Sequence, residues 1–199
     1  MTKTNQRLIL LSIPLLAASS QLHADSDHEQ HDAHVHGEAQ MLIALDGTSL
    51  ELEFKSPAMN IVGFEHQPKS EKQVNAVKAA MEILKQPKQI FTLSSDAQCN
   101  PVSIEVESPL AKHDGDEHDH DHKHDDDHKH HDDHMHEAES HSDFTAHYSF
   151  RCEQPSELRK IEFDLFKRFP GTERLEVQSI SKKGQQKIDL TAGNNTLEL

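Results

Sequence analysis

Cysteine, tryptophan and long apolar segments are scarce in this sequence of 199 residues. It contains two cysteines, no tryptophan and one tyrosine. Its apolar run at residues 8–18 is shorter than the roughly 20 residues that a membrane-spanning helix needs. We therefore do not expect a membrane-embedded protein.

Positive charge is scarce as well. The chain has 20 Lys and Arg against 35 Asp and Glu, which gives a formal net charge of −15 with neutral histidines. The basic residues form no cluster, and a protein that binds nucleic acid generally presents a basic patch to the phosphates. The composition therefore excludes a general nucleic-acid-binding protein.

The usual catalytic motifs are also missing. The string His28-Glu29-Gln30-His31 has the wrong spacing for a zinc protease, which needs two histidines four residues apart on a helix. There is no phosphate-binding glycine loop, no nucleophile elbow and no Cys-x-x-Cys. Asp114-Gly115-Asp116 does not continue into a calcium-binding EF-hand loop. We therefore predict a protein that is not an enzyme.

Histidine and aspartate, in contrast, are concentrated in residues 113–141, which we call the central tract. It contains 11 of the 18 histidines and nine aspartates, with almost no apolar residue. Such a segment cannot bury enough surface to offset the entropy lost on ordering. The sequence therefore predicts a long disordered loop at 109–142.

The central tract has the chemistry of a metal binder. Imidazole suits zinc, copper, nickel and iron, while carboxylates supply oxygen ligands or hydrogen-bond acceptors around them. The candidate ligands are His118, His120, His122, His124, His128, His130, His131, His134 and His136. We expect several weak, interchangeable sites, whose metal the tract does not specify. A solubilising acidic spacer and a compositional accident are the alternatives.

The first 24 residues resemble a secretory signal. Two basic residues precede the apolar run, and Leu22-His23-Ala24 offers a cleavage site before an acidic stretch. We predict cleavage after Ala24 and a periplasmic protein, with an uncleaved anchor as the alternative; no lipobox cysteine is present. The predicted organisation is a signal peptide at 1–24, a flexible His/Asp-rich tail at 25–33 and one domain at 34–199.

Three further histidines lie in short motifs outside the central tract. His34 and His36 open the domain, and two histidines two residues apart in an extended chain project to the same side and can chelate one ion. His66 follows Glu65 in a stretch that we expect to be irregular, from Pro57 to Pro68. Each histidine has a plainer interpretation, as the end of a flexible tail or as a solvated loop residue.

The fold is expected to be α+β. Alternating apolar residues at 41–45 and 50–54 predict a hairpin, and the same alternation predicts strands at 102–106, 144–152 and 161–165. Ser70, with Gln73 in the capping-box position, starts a helix that ends before Pro87. We predict a single domain with a mainly antiparallel sheet and one main helix. His147 falls on the polar face of its strand, either as a ligand or as an ordinary exposed histidine.

The two cysteines, Cys99 and Cys152, flank the central tract. An even number of cysteines in an exported chain favours a disulfide. Free thiols and a thiolate metal site are the alternatives.

Together these motifs resemble the periplasmic zinc-binding proteins of the ZrgA type, which accompany a zinc-uptake transporter in Gram-negative bacteria. The resemblance is carried by His34-Val35-His36-Gly37, Gly63-Phe64-Glu65-His66-Gln67-Pro68, Cys99, the central tract, Tyr148-Ser149-Phe150-Arg151-Cys152 and Phe169-Pro170-Gly171. It covers nearly all of the chain after the predicted signal peptide. Two-lobed zinc-binding proteins of the ZnuA type are disfavoured, because this chain has room for one lobe.

The resemblance implies a protein that captures zinc and delivers it to an uptake transporter. It also implies His34, His36 and His66 as ligands, and zinc ions with an ABC-type zinc transporter or its binding protein as partners. A buffering or sequestering protein for zinc, copper or nickel is the nearest alternative. A metallohydrolase is the alternative of another class, and it would need three fixed zinc ligands, an open position and a nearby general base.

Overall fold

The computed structural model describes residues 35–111 and 142–199. These residues form nine strands, one long helix and several short helices. The predicted signal peptide, the predicted tail at 25–33 and residues 112–141 lie outside the described residues. Within the described ranges, none of the helices is long and apolar enough to cross a membrane.

The strands are short to medium in length. They are β1 (Glu38–Asp46), β2 (Ser49–Pro57), β3 (Phe91–Leu93), β4 (Cys99–Glu107), β5 (Asp143–Cys152), β6 (Lys160–Phe163), β7 (Arg174–Ser181), β8 (Gly184–Leu190) and β9 (Thr196–Glu198). The helices are α1 (Ala58–Val62), α2 (Glu71–Leu84) and α3 (Leu165–Arg168).

The strands form two sheets. The larger has the order β4-β5-β2-β1-β7-β8, and the smaller has the order β3-β6-β9. Every strand pair is antiparallel except β1 with β7. The predicted α+β fold, with a mainly antiparallel sheet and one main helix, is confirmed.

The β1–β2 hairpin shows how the apolar alternation builds the large sheet. The strands turn at Asp46 and Ser49, which are paired. Met41 and Leu50 point into the core, whereas Leu42 and Glu51 are exposed on the opposite face. The period of two therefore predicts correctly which face of each strand is buried.

The core lies on the inner face of the large sheet, where the aromatic residues of the two sheets meet. Phe91 of β3 contacts the ring of Tyr148 of β5 edge-on, with ring centroids 5.2 Å apart. The Tyr148 hydroxyl donates a hydrogen bond to the carbonyl oxygen of Leu84 at 2.9 Å, which ties β5 to the end of α2. Burial raises the pKa of Tyr148 above its ordinary value.

The start of α2 follows the predicted capping pattern. The Ser70 hydroxyl accepts a hydrogen bond from the Gln73 amide at 3.3 Å, and the Gln73 side chain accepts one from the Lys69 amide at 2.8 Å. The Gln73 amide of the first turn is thereby satisfied, while the Gln73 side chain bonds to the residue before the N-cap and not to the Ser70 amide as in a standard capping box.

Three details differ from the sequence-based expectation. The stretch from Pro57 to Pro68 contains α1, and Leu165 begins α3 instead of continuing β6. Helices of four or five residues are too short to show a helical period in a sequence. Leu110 and Ser142, inside the predicted loop boundaries 109–142, are 1% and 3% exposed, because both pack into the folded domain.

Cys99 and Cys152 form a disulfide, as predicted. They are paired across β4 and β5, and the same ladder continues to the pair Glu107 and Thr145. The disulfide therefore lies at one end of the ladder, and the chain leaves for the central tract at the other.

Candidate metal site

His36 lies in a β-turn. The Glu38 amide donates to the Val35 carbonyl at 3.0 Å, and Gly37 has φ of +87°, which a residue with a side chain adopts only with strain. The extended geometry that we expected at the His34–Gly37 motif is therefore wrong for His36. His34 itself lies outside the described residues.

The turn brings His36 to Glu65, which is 29 positions away in the sequence. Nε2 of His36 lies 3.2 Å from Oε1 of Glu65, with the side chains 56% and 20% exposed. Two ligand atoms on one tetrahedral zinc, each about 2.0–2.2 Å from the ion, lie roughly 3.3–3.6 Å apart. The distance between Nε2 and Oε1 is therefore close to the distance between two ligand atoms of one zinc ion.

His66 is oriented by its own backbone. Its Nδ1 lies 2.9 Å from the carbonyl oxygen of Gln67. A carbonyl only accepts, so Nδ1 carries the proton and a neutral His66 ring offers Nε2 as a ligand. The ring also stacks on Phe64, with centroids 5.3 Å apart. A ring whose Nδ1 donates to a backbone carbonyl is a common arrangement for a histidine that binds a metal through Nε2.

The structure does not bring His66 into the His36–Glu65 pair. Among the described residues, no group of three or more His, Cys, Asp or Glu side chains is placed to hold a metal ion. The candidate site in the folded domain is therefore a two-ligand pair, with His66 beside it in sequence.

Sequence reasoning missed Asn60, which holds the His36 turn in place. Its side-chain oxygen accepts from the Gly37 amide at 2.7 Å, and its side-chain nitrogen donates to the Glu38 carbonyl at 2.8 Å. Its backbone is packed against Gly171, where an added Cβ would meet the Asn60 carbonyl oxygen at 2.6 Å. The glycine of the Phe169-Pro170-Gly171 motif is thus explained by its close contact with Asn60. No periodicity in the sequence identifies Asn60 itself.

In the sequence, Glu65 and His66 form a Glu-His pair that could offer ligands, but nothing in the sequence predicts a contact of Glu65 with His36. Its role depends on the approach of His36, and residues so far apart in sequence give no local signal of such a contact. Within the motif Gly63–Pro68, the structure places the Glu65 carboxylate beside His36.

The segment from Ala58 to Gln67, which we call the anchor segment, also binds described residues on both sides of the central tract. The Gln67 side chain donates to the Pro109 carbonyl at 2.9 Å, just before the tract. The Ala58 amide donates to the Ser142 carbonyl at 2.7 Å, just after it. His36 is bonded to Glu65 of the same segment, so three described residues that lie close in sequence to the His-rich stretches contact the anchor segment.

The predicted ligands of the central tract lie outside the described residues. They are His118, His120, His122, His124, His128, His130, His131, His134 and His136. Their role as ligands stays a prediction.

His147 occupies the open face of the large sheet. It is paired with Glu53 on one side and Glu105 on the other, and its Nδ1 lies 3.8 Å from Oε2 of Glu53. Both side chains are nearly half exposed, at 49% and 43%. His147 therefore has the surroundings of an exposed histidine in a surface ion pair, and it makes no contact with the candidate site.

The comparison with known families identifies one match. The model of a family described as a ZrgA family zinc uptake protein matches residues 33–199, from the residue before His34 to Leu199. A search of curated proteins finds no match to the chain.

Proposed function

The chain belongs to the ZrgA family of zinc uptake proteins, and we propose that it captures zinc in the periplasm and delivers it to a zinc uptake transporter. In this proposal the protein is a carrier that catalyses no reaction. Zinc is its cargo, bound and released without being retained as a structural ion.

The contact between His36 and Glu65 is the observation that supports the proposal most. A structural zinc site is closed by four protein ligands, whereas a site with fewer ligands keeps positions open. His36 is more than half exposed, so a partner's ligands can reach an ion held there. Such a site suits the exchange of zinc from one protein to another.

The central tract would supply the capacity. The tract lies in the sequence between Pro109 and Ser142, and both of these residues are hydrogen-bonded to the anchor segment. Tethering raises the effective concentration of one binding group at another. Zinc collected by the tract is therefore offered repeatedly to the His36–Glu65 pair.

The two alternatives differ in what they require. A hydrolase needs three fixed ligands around its zinc, whereas a carrier can use an open site with fewer ligands, such as the His36–Glu65 pair. A buffering protein would hold zinc, copper or nickel in the same tract but would have no transporter partner.

Binding is tested in a full-length variant in which the histidines of the central tract and the tail histidines His28 and His31 are replaced by asparagine. We call this variant, which keeps its full length but lacks these histidines, the tract-free chain. We expect it to retain one zinc ion. His36→Asn or Glu65→Gln should then weaken zinc binding by about tenfold or more. His147→Asn is the matched control, because it removes an exposed histidine beside another glutamate. Equal losses in all three variants, or a tract-free chain that retains no zinc, would contradict the proposed site.

Delivery is tested in cells that lack the protein. In zinc-limited medium, the wild-type chain should restore growth and uptake of labelled zinc, and the tract-free chain with His36→Asn should not. A buffering protein would instead leave uptake unchanged and protect the cells against excess zinc, copper or nickel.

A further inference from the structure

We infer that Asn60 is a positioning residue for zinc binding, because it fixes the turn that presents His36 to Glu65. This inference rests on the proposed zinc site and deepens it. Asn60 is not itself a ligand; it acts through the backbone on either side of Gly37.

The Asn60 side chain uses both ends of its amide on this turn. Oδ1 accepts from the Gly37 amide at 2.7 Å, and Nδ2 donates to the Glu38 carbonyl at 2.8 Å. Asn60 is 4% exposed, so water does not readily replace these bonds. Among short side chains, only an amide supplies a fixed donor and a fixed acceptor together.

The turn is held from a second direction by the start of β7. The Gly37 carbonyl accepts from the amides of Glu173 at 2.7 Å and Arg174 at 2.9 Å. Asn60 completes this frame on the other side. With its backbone bonded from both directions, the turn holds the His36 side chain beside Glu65.

Asn60 and Glu65 belong to the same short segment. α1 ends at Val62 and is capped by Gly63, whose amide donates to the Met59 carbonyl at 3.0 Å and whose φ is +82°. This left-handed cap redirects the chain toward Glu65. One segment therefore carries both the side chain that fixes the His36 turn and the carboxylate that faces it, which links their positions.

Asn60 is itself held in place from two sides. Its Nδ2 also donates to the Ser56 hydroxyl at 3.2 Å, and its backbone is in close contact with Gly171. Residues that orient a metal ligand commonly change metal affinity by about 10–100-fold when they are replaced. We expect a loss of this order when the Asn60 side chain is removed.

The test uses the full-length tract-free chain with Asn60→Ala, and Tyr148→Phe as the matched control. Asn60→Ala removes the two hydrogen bonds to the turn backbone and the one to Ser56, and Tyr148→Phe removes the one to the Leu84 carbonyl, so both should lower Tm. Only Asn60→Ala should weaken zinc binding, by about tenfold. In NMR spectra, the zinc-induced shift of the His36 ring nitrogens should then need about tenfold more zinc, a change that a purely structural role would not cause.

A second variant and a second measurement apply if Asn60→Ala does not fold. Asn60→Asp keeps an acceptor for the Gly37 amide but places an oxygen opposite the Glu38 carbonyl, and we expect an intermediate loss of affinity. In the tract-free chain with Asn60 intact, zinc should slow hydrogen exchange of the Gly37 amide.

The outcomes separate the two proposals. If the tract-free chain binds no zinc through His36 and Glu65, the proposed site fails and the role of Asn60 fails with it. If zinc binds there while Asn60→Ala or Asn60→Asp behaves like Tyr148→Phe, only the role of Asn60 is overturned. Unchanged Gly37 exchange on zinc binding would overturn it as well.

Discussion

Cys99 and Cys152 are directly paired at the end of the β4–β5 ladder that lies away from the central tract. At the other end, the last pair is Glu107 with Thr145. The two strands are therefore fixed to each other before the chain enters the tract and after it returns. We therefore expect stability and metal capacity to depend on different parts of the chain between the two cysteines.

Loss of the disulfide should destabilise the domain without changing its zinc capacity. A sequence separation of 53 residues corresponds to about 4 kcal/mol in the chain-entropy model of cross-linking. We expect Cys99→Ser to lower the free energy of unfolding by a few kcal/mol in denaturant titrations, with the number of bound zinc ions unchanged. Two free thiols in the native protein, found by mass spectrometry, would refute the pairing.

Deletion of residues 113–141 should have the opposite effect. It removes 11 histidines and nine aspartates but no residue of the described core. The remaining chain should keep its melting transition, because the β4–β5 ladder already joins the strands on either side. Calorimetry should show fewer zinc ions bound per chain. An unfolded deletion variant would contradict this expectation.

Zinc should be released as the pH falls. A zinc-bound imidazole must be deprotonated at its coordinating nitrogen, and an ordinary imidazole has a pKa of about 6.5, so protons compete with zinc near that pH. Neighbouring carboxylates such as Asp119 and Asp121 stabilise the imidazolium form. The central tract should therefore lose zinc at a higher pH than the folded site, where the ligand geometry is fixed. Zinc titrations from about pH 7.5 to 5.5 on full-length and tract-deleted protein measure the pH at which each releases its zinc. The same midpoint of zinc release in both proteins would argue against the prediction.

High pH should destabilise the fold through Tyr148, the single tyrosine of the chain. Burial raises its pKa above the ordinary value of 10.0, so above that pH the unfolded chain loses a proton that the folded chain keeps. The free energy of unfolding then decreases as the pH rises. Tyrosinate absorbance should appear together with unfolding, and Tyr148→Phe should weaken the pH dependence. Tyrosinate that formed while the domain stayed folded would contradict the burial argument.

The local features of the fold could be read from the sequence. Alternating residues such as Phe144, Ala146 and Tyr148 identified a strand and its buried face, and Ser70 marked the start of α2. These signals depend on neighbours within a few positions. They do not say which strand pairs with which, so the parallel contact of β1 with β7 and the separate sheet of β3, β6 and β9 could not be derived from them.

The candidate site was predicted only in part for the same reason. His36 was proposed as a ligand, but its contact with Glu65 joins segments 29 residues apart. Asn60 carries no pattern of its own, because α1 has only five residues. The placement of both side chains follows from how α1, β1 and β7 meet, which is a property of the assembled fold.

The pairing of Glu107 with Thr145 also bears on how such a protein evolves. The entropy cost of closing a flexible loop rises only slowly with its length, by about 0.6 kcal/mol for each doubling. Insertions and deletions between these two strands are therefore nearly neutral for folding. On the proposed function, the length of the histidine-rich segment can therefore change without altering the folded site. We expect the number of ions carried and the strength with which the folded site holds one to vary independently.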